Sequence, residues 1–215
     1  MRDVIIFGAP GSGKSVFIKK YLVPALRARK IEPEVNDFFD AIRNENKTAP
    51  KRVAGVAGPV FSFNQDTIAS GLDKIYTRME QSAHADHPII YETATDRTFE
   101  TRIPKTIKSR IPKVRRPFIV FMNTPKTVCI ANNKIRRGHF LPEHILRNYL
   151  MYDKFMILAV GSAAGVPLVM VNELSDGYLK KMACIIAEKM SSGSMSCLLR
   201  ACSWQRRSCS RESKT

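Results

Sequence analysis

The chain has 215 residues, 44% of them apolar and 25% charged, enough length for one domain with a sheet and a substantial core and an ordinary balance for a folded soluble protein. Thirty-five Lys and Arg against nineteen Asp and Glu give a net charge of +16, which favours polyanionic partners such as nucleotides, nucleic acid or sugar phosphates. The five cysteines, Cys129, Cys184, Cys197, Cys202 and Cys209, contain no C-x-x-C pair and no metal-ligand spacing, so reduced thiols in a cytoplasmic protein are expected rather than a disulfide framework.

The apolar run Val4-Ile5-Ile6-Phe7 reads as a strand. It leads directly into Gly8-Ala9-Pro10-Gly11-Ser12-Gly13-Lys14-Ser15, which fits the phosphate-binding pattern G-x-x-x-x-G-K-[ST] at each defined position. Three glycines in six residues let the chain curl so that backbone N–H groups face inward, and the helix opening near Gly13 adds its positive end. All eight residues are thus expected to hold the phosphates of ATP. Lys14 supplies a mobile charge for the β and γ phosphates, and the Ser15 hydroxyl is placed to ligate Mg²⁺. With the loop beginning at Gly8, no leader segment is expected ahead of the first strand.

Beyond the loop, Val16, Phe17, Lys20, Tyr21 and Ala25 follow helical spacing, with Pro24 expected to kink the helix or begin a second segment. Glu34-Val35-Asn36 reads as a short extended piece, and Asp37 as the cap of a helix beginning Phe38-Phe39. A connection through Gly55 to Pro59 precedes a longer helix through Ile68, Leu72, Ile75 and Met79. Ile89-Ile90-Tyr91 is a short buried strand ending at Glu92. Phe99 to Arg110 can be helical despite Pro104, and Pro117 to Met122 is a strand followed by a helix opening at Thr124-Pro125. Pro142-Glu143 opens another helix. Met156 to Val171, too short and too interrupted to span a membrane, reads as a helix end, a turn and a strand from Val166, and Asp176 to Met190 as the last helix. Residues 1–190 are therefore expected to form one α/β domain, a three-layer P-loop NTPase fold with a mainly parallel sheet, helices on both faces and a small lid. Residues 191–215, rich in Ser, Cys and Arg, read as a disordered basic tail. Five basic residues against one acidic residue place +4 of the +16 in that tail, so +12 belongs to the domain.

In an open parallel sheet the ligand lies at the carboxyl ends of the strands. That rule gathers Gly8 to Ser15, Asp37, Glu92 and the segment after Met122 around one crevice. Asp37 is the candidate base for an acceptor hydroxyl, a role compatible with capping a helix, and Asp40 is its fallback. Glu92 either reaches Mg²⁺ through water or holds a substrate hydroxyl, and the polar stretch after it contains Thr95 and Arg97. From Lys105 to Arg137 there are ten basic residues and no acidic one. Arg136 and Arg137 stand apart because they precede Gly138-His139-Phe140-Leu141-Pro142, readable as a lid that brings positive charge to the transferring phosphoryl group and excludes water.

The loop, the Asn36-Asp37-Phe38-Phe39 step, the Ile89-Ile90-Tyr91-Glu92 strand end with Thr95 and Arg97-Thr98, and Arg137-Gly138-His139-Phe140-Leu141-Pro142-Glu143-His144-Ile145 together resemble the zeta-toxin family of P-loop kinases. They resemble nearly as well the kinase domain of phage-type polynucleotide kinases. The likeness runs in order over most of Asp3 to Val171 and leaves out the tail. The first resemblance implies transfer of the ATP γ-phosphate to a 3′-hydroxyl of UDP-N-acetylglucosamine, with an antitoxin as partner, Asp37 as base, Glu92, Thr95 and Arg97 on the substrate, and Arg136 or Arg137 as the lid arginine. The second implies a 5′-hydroxyl of DNA or RNA as acceptor, with Asp37 again as base and Arg136 on the phosphate. Thr93-Ala94-Thr95 stands where the zeta pattern has Gly-Thr, and Asp40 where the polynucleotide pattern has Arg. A third reading, an ATP-dependent nucleic-acid-binding switch, is disfavoured because neither strong strand ends in Asp.

Overall fold

Four apolar residues in succession make β1 (Val4–Phe7), and all four are buried. A strand apolar on both faces needs a layer of helices on each side of its sheet. The computed structural model describes residues 1–45, 51–52, 59–60, 65–82, 85–93, 99–111, 115–135 and 154–192. In it β1 is the middle of five parallel strands, flanked by β2 (Glu34–Asp37) and β5 (Ile89–Glu92) on one side and β6 (Phe118–Met122) and β7 (Leu168–Val171) on the other, in the order β2-β5-β1-β6-β7. A separate antiparallel pair, β3 (Lys51–Arg52) with β4 (Pro59–Val60), was not expected from the sequence.

The two-residue alternation of side chains sorts the strands' apolar residues into two cores. On one face Val4, Ile6, Ile90, Val120 and Val171 pack with the helix after the loop and with α8 (Asp176–Ser192), through Phe17, Ile18, Leu22, Leu26, Leu179 and Ile186. On the other, Ile5, Phe7, Tyr91, Ile119 and Phe121 meet α4 (Gln65–Gln81), α5 (Phe99–Arg110) and α7 (Lys154–Ala164), through Leu72, Ile75, Met79, Ile107 and Ile157. The three-layer α/β architecture is the expected one. Among the described residues no helix is long and apolar enough to cross a membrane.

The helix after the loop has three parts: α1 (Lys14–Val16), a π-helical stretch (Phe17–Leu22) and α2 (Val23–Arg27). Proline has no N–H to donate and its ring crowds the carbonyl four residues back. The wider turn, closed by Val23 N–H donating to Ile18 O five residues earlier, accommodates Pro24 at the start of α2, so the expected second segment is present. The next helix, α3 (Phe38–Glu45), follows β2 without a break, which makes Asp37 the last residue of the strand and the entry to the helix. Further on, α6 (Lys126–Ile135) begins after Thr124-Pro125 as expected. At the ends of the chain's regular structure, β7 starts at Leu168 rather than Val166, and α8 runs through Ser192, two residues past the expected end. The expected helix opening at Pro142 and the tail beyond Ser192 lie outside the described residues.

Polar side chains lock the amino ends of the strands, away from the loop. Asp3, buried, accepts the Ile89 N–H at 2.9 Å and pairs with Arg115 at 3.1 Å. Glu34 takes both arms of Arg78 and lies 3.2 Å from His87 Nε2, tying β2 to α4 and to the turn before β5.

Candidate active site

The chain leaves β1 toward β2, returns through β5, and crosses to β6 on the far side, so the carboxyl end of β1 is where the direction of connection reverses. A crevice opens at such a point, and the loop from Gly8 to Lys14 occupies it.

The carbonyls of this loop are held by partners around it. Lys14 Nζ donates to Gly8 O at 2.7 Å and Ala9 O at 3.3 Å. Ser12 N–H also donates to Ala9 O at 3.0 Å, and Phe17 N–H to Gly13 O at 2.8 Å. From outside the loop, Asn132 Nδ2 donates to Gly11 O and the Thr124 hydroxyl to Ser12 O, each at 2.9 Å. Carbonyls engaged in this way leave the amides to form the concave, positive side of the turn. Gly11 and Gly13 have φ of +81° and +91°, where a side chain would be strained. A Cβ on Gly11 would in addition lie 2.2 Å from the Cys129 carbonyl oxygen, because the first turn of α6 is packed onto the loop. Burial pushes the Cys129 thiol up to about 11, so it packs there as a neutral group.

Ser15, one residue past Lys14, donates its hydroxyl to Glu92 Oε1 at 2.9 Å. Glu92 ends β5 and is 8% exposed. A serine hydroxyl backed by a buried carboxylate is a hard oxygen donor set that fits Mg²⁺, which takes few protein ligands and keeps much of its water. Among the described residues no group of three or more His, Cys, Asp or Glu side chains could hold a metal by itself. Asp37 is the in-register neighbour of Glu92 across the β2–β5 ladder, and paired residues of a parallel sheet project to the same face. The two carboxylates therefore stand side by side, Glu92 on Ser15 and Asp37 one strand further out.

On the other flank, Asn123 at the tip of β6 donates its amide to Asn172 Oδ1 at 2.9 Å after β7. Leu174 lies over the loop, 3.7 Å from where a Gly13 Cβ would be. Gly8, Ala9, Pro10, Gly11, Ser12, Gly13, Lys14, Ser15, Asp37 and Glu92 are thus gathered in one place. Thr95, Arg97, Arg136 and Arg137 lie outside the described residues. Asn132 and Thr124 were missed, since nothing in an amphipathic helix marks one amide as the partner of a carbonyl 121 positions earlier.

No family model matches the sequence, and no curated protein matches it. Solved structures do. A gluconokinase from Sinorhizobium meliloti is 15% identical, with a TM-score of 0.52 over 94% of this chain and 96% of that one. Shikimate kinase from Acinetobacter baumannii, in complex with shikimate, is 14% identical, with a TM-score of 0.53 over 91% and 95%. A putative kinase from Chloroflexus aurantiacus is 10% identical, with a TM-score of 0.51 over 87% and 97%. At these identities the likeness is one of fold, shared along nearly the whole of each chain.

Proposed function

We propose that the protein is an ATP-dependent phosphotransferase that moves the γ-phosphate of ATP to an alcohol hydroxyl. The observation that carries this reading is the row formed by the loop, Ser15, Glu92 and Asp37: a cradle for a triphosphate, a hydroxyl suited to its cation, and a second carboxylate one strand further out. Polyphosphate binding falls to the loop amides and to Lys14, whose ammonium already spans the loop. Mg²⁺, when bound, neutralises charge on the β and γ phosphates. Ser15 would hold it directly, with Glu92 orienting the Ser15 hydroxyl. Asp37 is the base that takes the proton of the acceptor hydroxyl as it attacks. Arg136 and Arg137, carried on the segment after α6, supply charge to the transferred group in the closed state.

For the acceptor, the resemblance of the Asp37, Glu92 and Arg137 segments to zeta-toxin kinases supports a sugar nucleotide, UDP-N-acetylglucosamine being the compound to test. An antitoxin partner goes with that reading. A polynucleotide 5′-hydroxyl is the second reading, favoured by the +12 charge outside the tail. Labelled ATP with Mg²⁺ should be offered separately with UDP-N-acetylglucosamine and with 5′-hydroxyl oligonucleotides. Label on the sugar nucleotide alone is expected, and label on the oligonucleotide alone selects the second reading. Label on neither, together with nucleic-acid-stimulated ATP hydrolysis, would sink the kinase assignment.

A further inference from the structure

The outer partners of the phosphate loop do not come from the strand or helix that bracket it. Two of them come from the segment after β6: the Thr124 hydroxyl on Ser12 O and the Asn132 carboxamide on Gly11 O, both at 2.9 Å. Between them the backbone of Cys129 abuts Gly11 so closely that no Cβ fits. The Gly11 carbonyl is the sensitive one. Gly11 sits at φ +81°, and without a side chain its peptide plane can rotate at little steric cost. A rotation would turn the carbonyl oxygen toward the bound phosphates and break the Ser12 N–H to Ala9 O bond, 3.0 Å, that closes the loop.

We infer that Asn132 is a positioning residue of the donor site, holding the Gly11 carbonyl outward so that the loop amides converge on the triphosphate. This role rests on the donor-site reading above. The Asn132 side chain is half-buried at the surface of α6 and belongs to neither apolar core, so its worth lies in the one hydrogen bond rather than in packing. A carboxylate of the same shape at this position would set oxygen against oxygen and place a negative charge near the phosphates, whereas a truncated side chain would only release the carbonyl. The two changes are therefore separable from a packing defect.

Calorimetric titration of the full chain with MgATP, MgADP and AMP tests the role, with thermal unfolding recorded without nucleotide. Asn132→Ala is expected to weaken MgATP binding about fivefold and Asn132→Asp at least tenfold, with the loss shrinking from ATP to ADP to AMP and the nucleotide-free melting temperature unchanged in both. MgATP binding within twofold of wild type in Asn132→Asp would overturn the role. So would an equal loss for all three nucleotides, or a fall in nucleotide-free stability that parallels the loss in both variants. Absence of MgATP binding by the wild-type chain would instead remove the donor site itself, an outcome the same titration separates from failure of Asn132 alone.

Discussion

Asp37 and Glu92 are in-register neighbours with different surroundings, and in the proposed function the difference divides the chemistry between them. Glu92 is buried and accepts the Ser15 hydroxyl, whereas Asp37 is half-exposed at the edge strand, where an acceptor can reach it. Replacing Asp37 by Asn keeps the shape and removes the proposed base. Transfer should fall roughly a hundredfold or more while MgATP binding, read by calorimetry, stays within twofold. Glu92→Gln should behave otherwise. Loss of a carboxylate that orients a metal ligand costs about 10–100-fold in metal affinity or activity, so the Mg²⁺ concentration for half-maximal activity should rise about tenfold or more. A rise confined to the acceptor KM would move Glu92 to the substrate side. At the opposite end of the sheet, the Arg78 guanidinium, with a smaller contribution from His87, lowers the Glu34 carboxyl to about 2 against partial burial. A depressed carboxylate contributes stability that is present above its unfolded pKa of about 4.3 and is lost as the pH falls toward 2. The shift would convert to roughly 3 kcal/mol if fully realised, but the pair is about 30% exposed, and screening reduces this to about 1–2 kcal/mol. Glu34→Gln should therefore lower stability near neutral pH by that amount and flatten the loss between pH 4.5 and 2 in chemical denaturation at each pH.

Elements meet at distances set by single residues, and α3 on α4 is the case that bears on the proposed acceptor side. A Cβ on Gly71 of α4 would lie 2.2 Å from Ile42 Cγ2 and 3.3 Å from Phe38 Cε2. The close approach seats α3, whose first residue follows Asp37 directly. Gly71→Ala would gain about 1 kcal/mol of helix propensity and lose about 1–3 kcal/mol to overpacking. The two nearly cancel, so stability should fall by no more than about 2 kcal/mol. Geometry has no such compensation. Ile42 is buried and can yield only by moving α3, and with it the carboxylate at the end of β2. Transfer should drop about tenfold, because a base displaced by an ångström loses most of its reach, while MgATP affinity, set on the other side of Ser15, should not change. Equal losses of MgATP binding and turnover would show that α3 supports the loop rather than the acceptor side.

Across the whole molecule, what the sequence made legible is local. The Val4–Phe7 strand, the glycine-rich loop, the restart at Pro24 and the Phe99–Arg110 helix all follow from neighbours within a few positions. Strand order, by contrast, is a long-range outcome. It puts β5 beside β1 and so brings Glu92, already expected at a strand end, onto the Ser15 hydroxyl across 77 positions. Asn132 and Thr124 were hidden for the same reason. Since the proposed donor site draws on β1, β5, α6 and the turn after β7, a nucleotide bound there should stabilise the tertiary structure as a unit rather than one loop. Linkage gives about 2.7 kcal/mol when MgATP is present at a hundred times its dissociation constant. For a chain of this size each kcal/mol moves the melting temperature by roughly 2–4 °C, so saturating MgATP should raise it by about 5–10 °C in differential scanning fluorimetry. Lys14→Ala removes the ammonium that spans the loop and should abolish most of that rise. A full MgATP-dependent shift in Lys14→Ala would mean that the nucleotide binds elsewhere on this basic surface, and the donor-site assignment would fall with it.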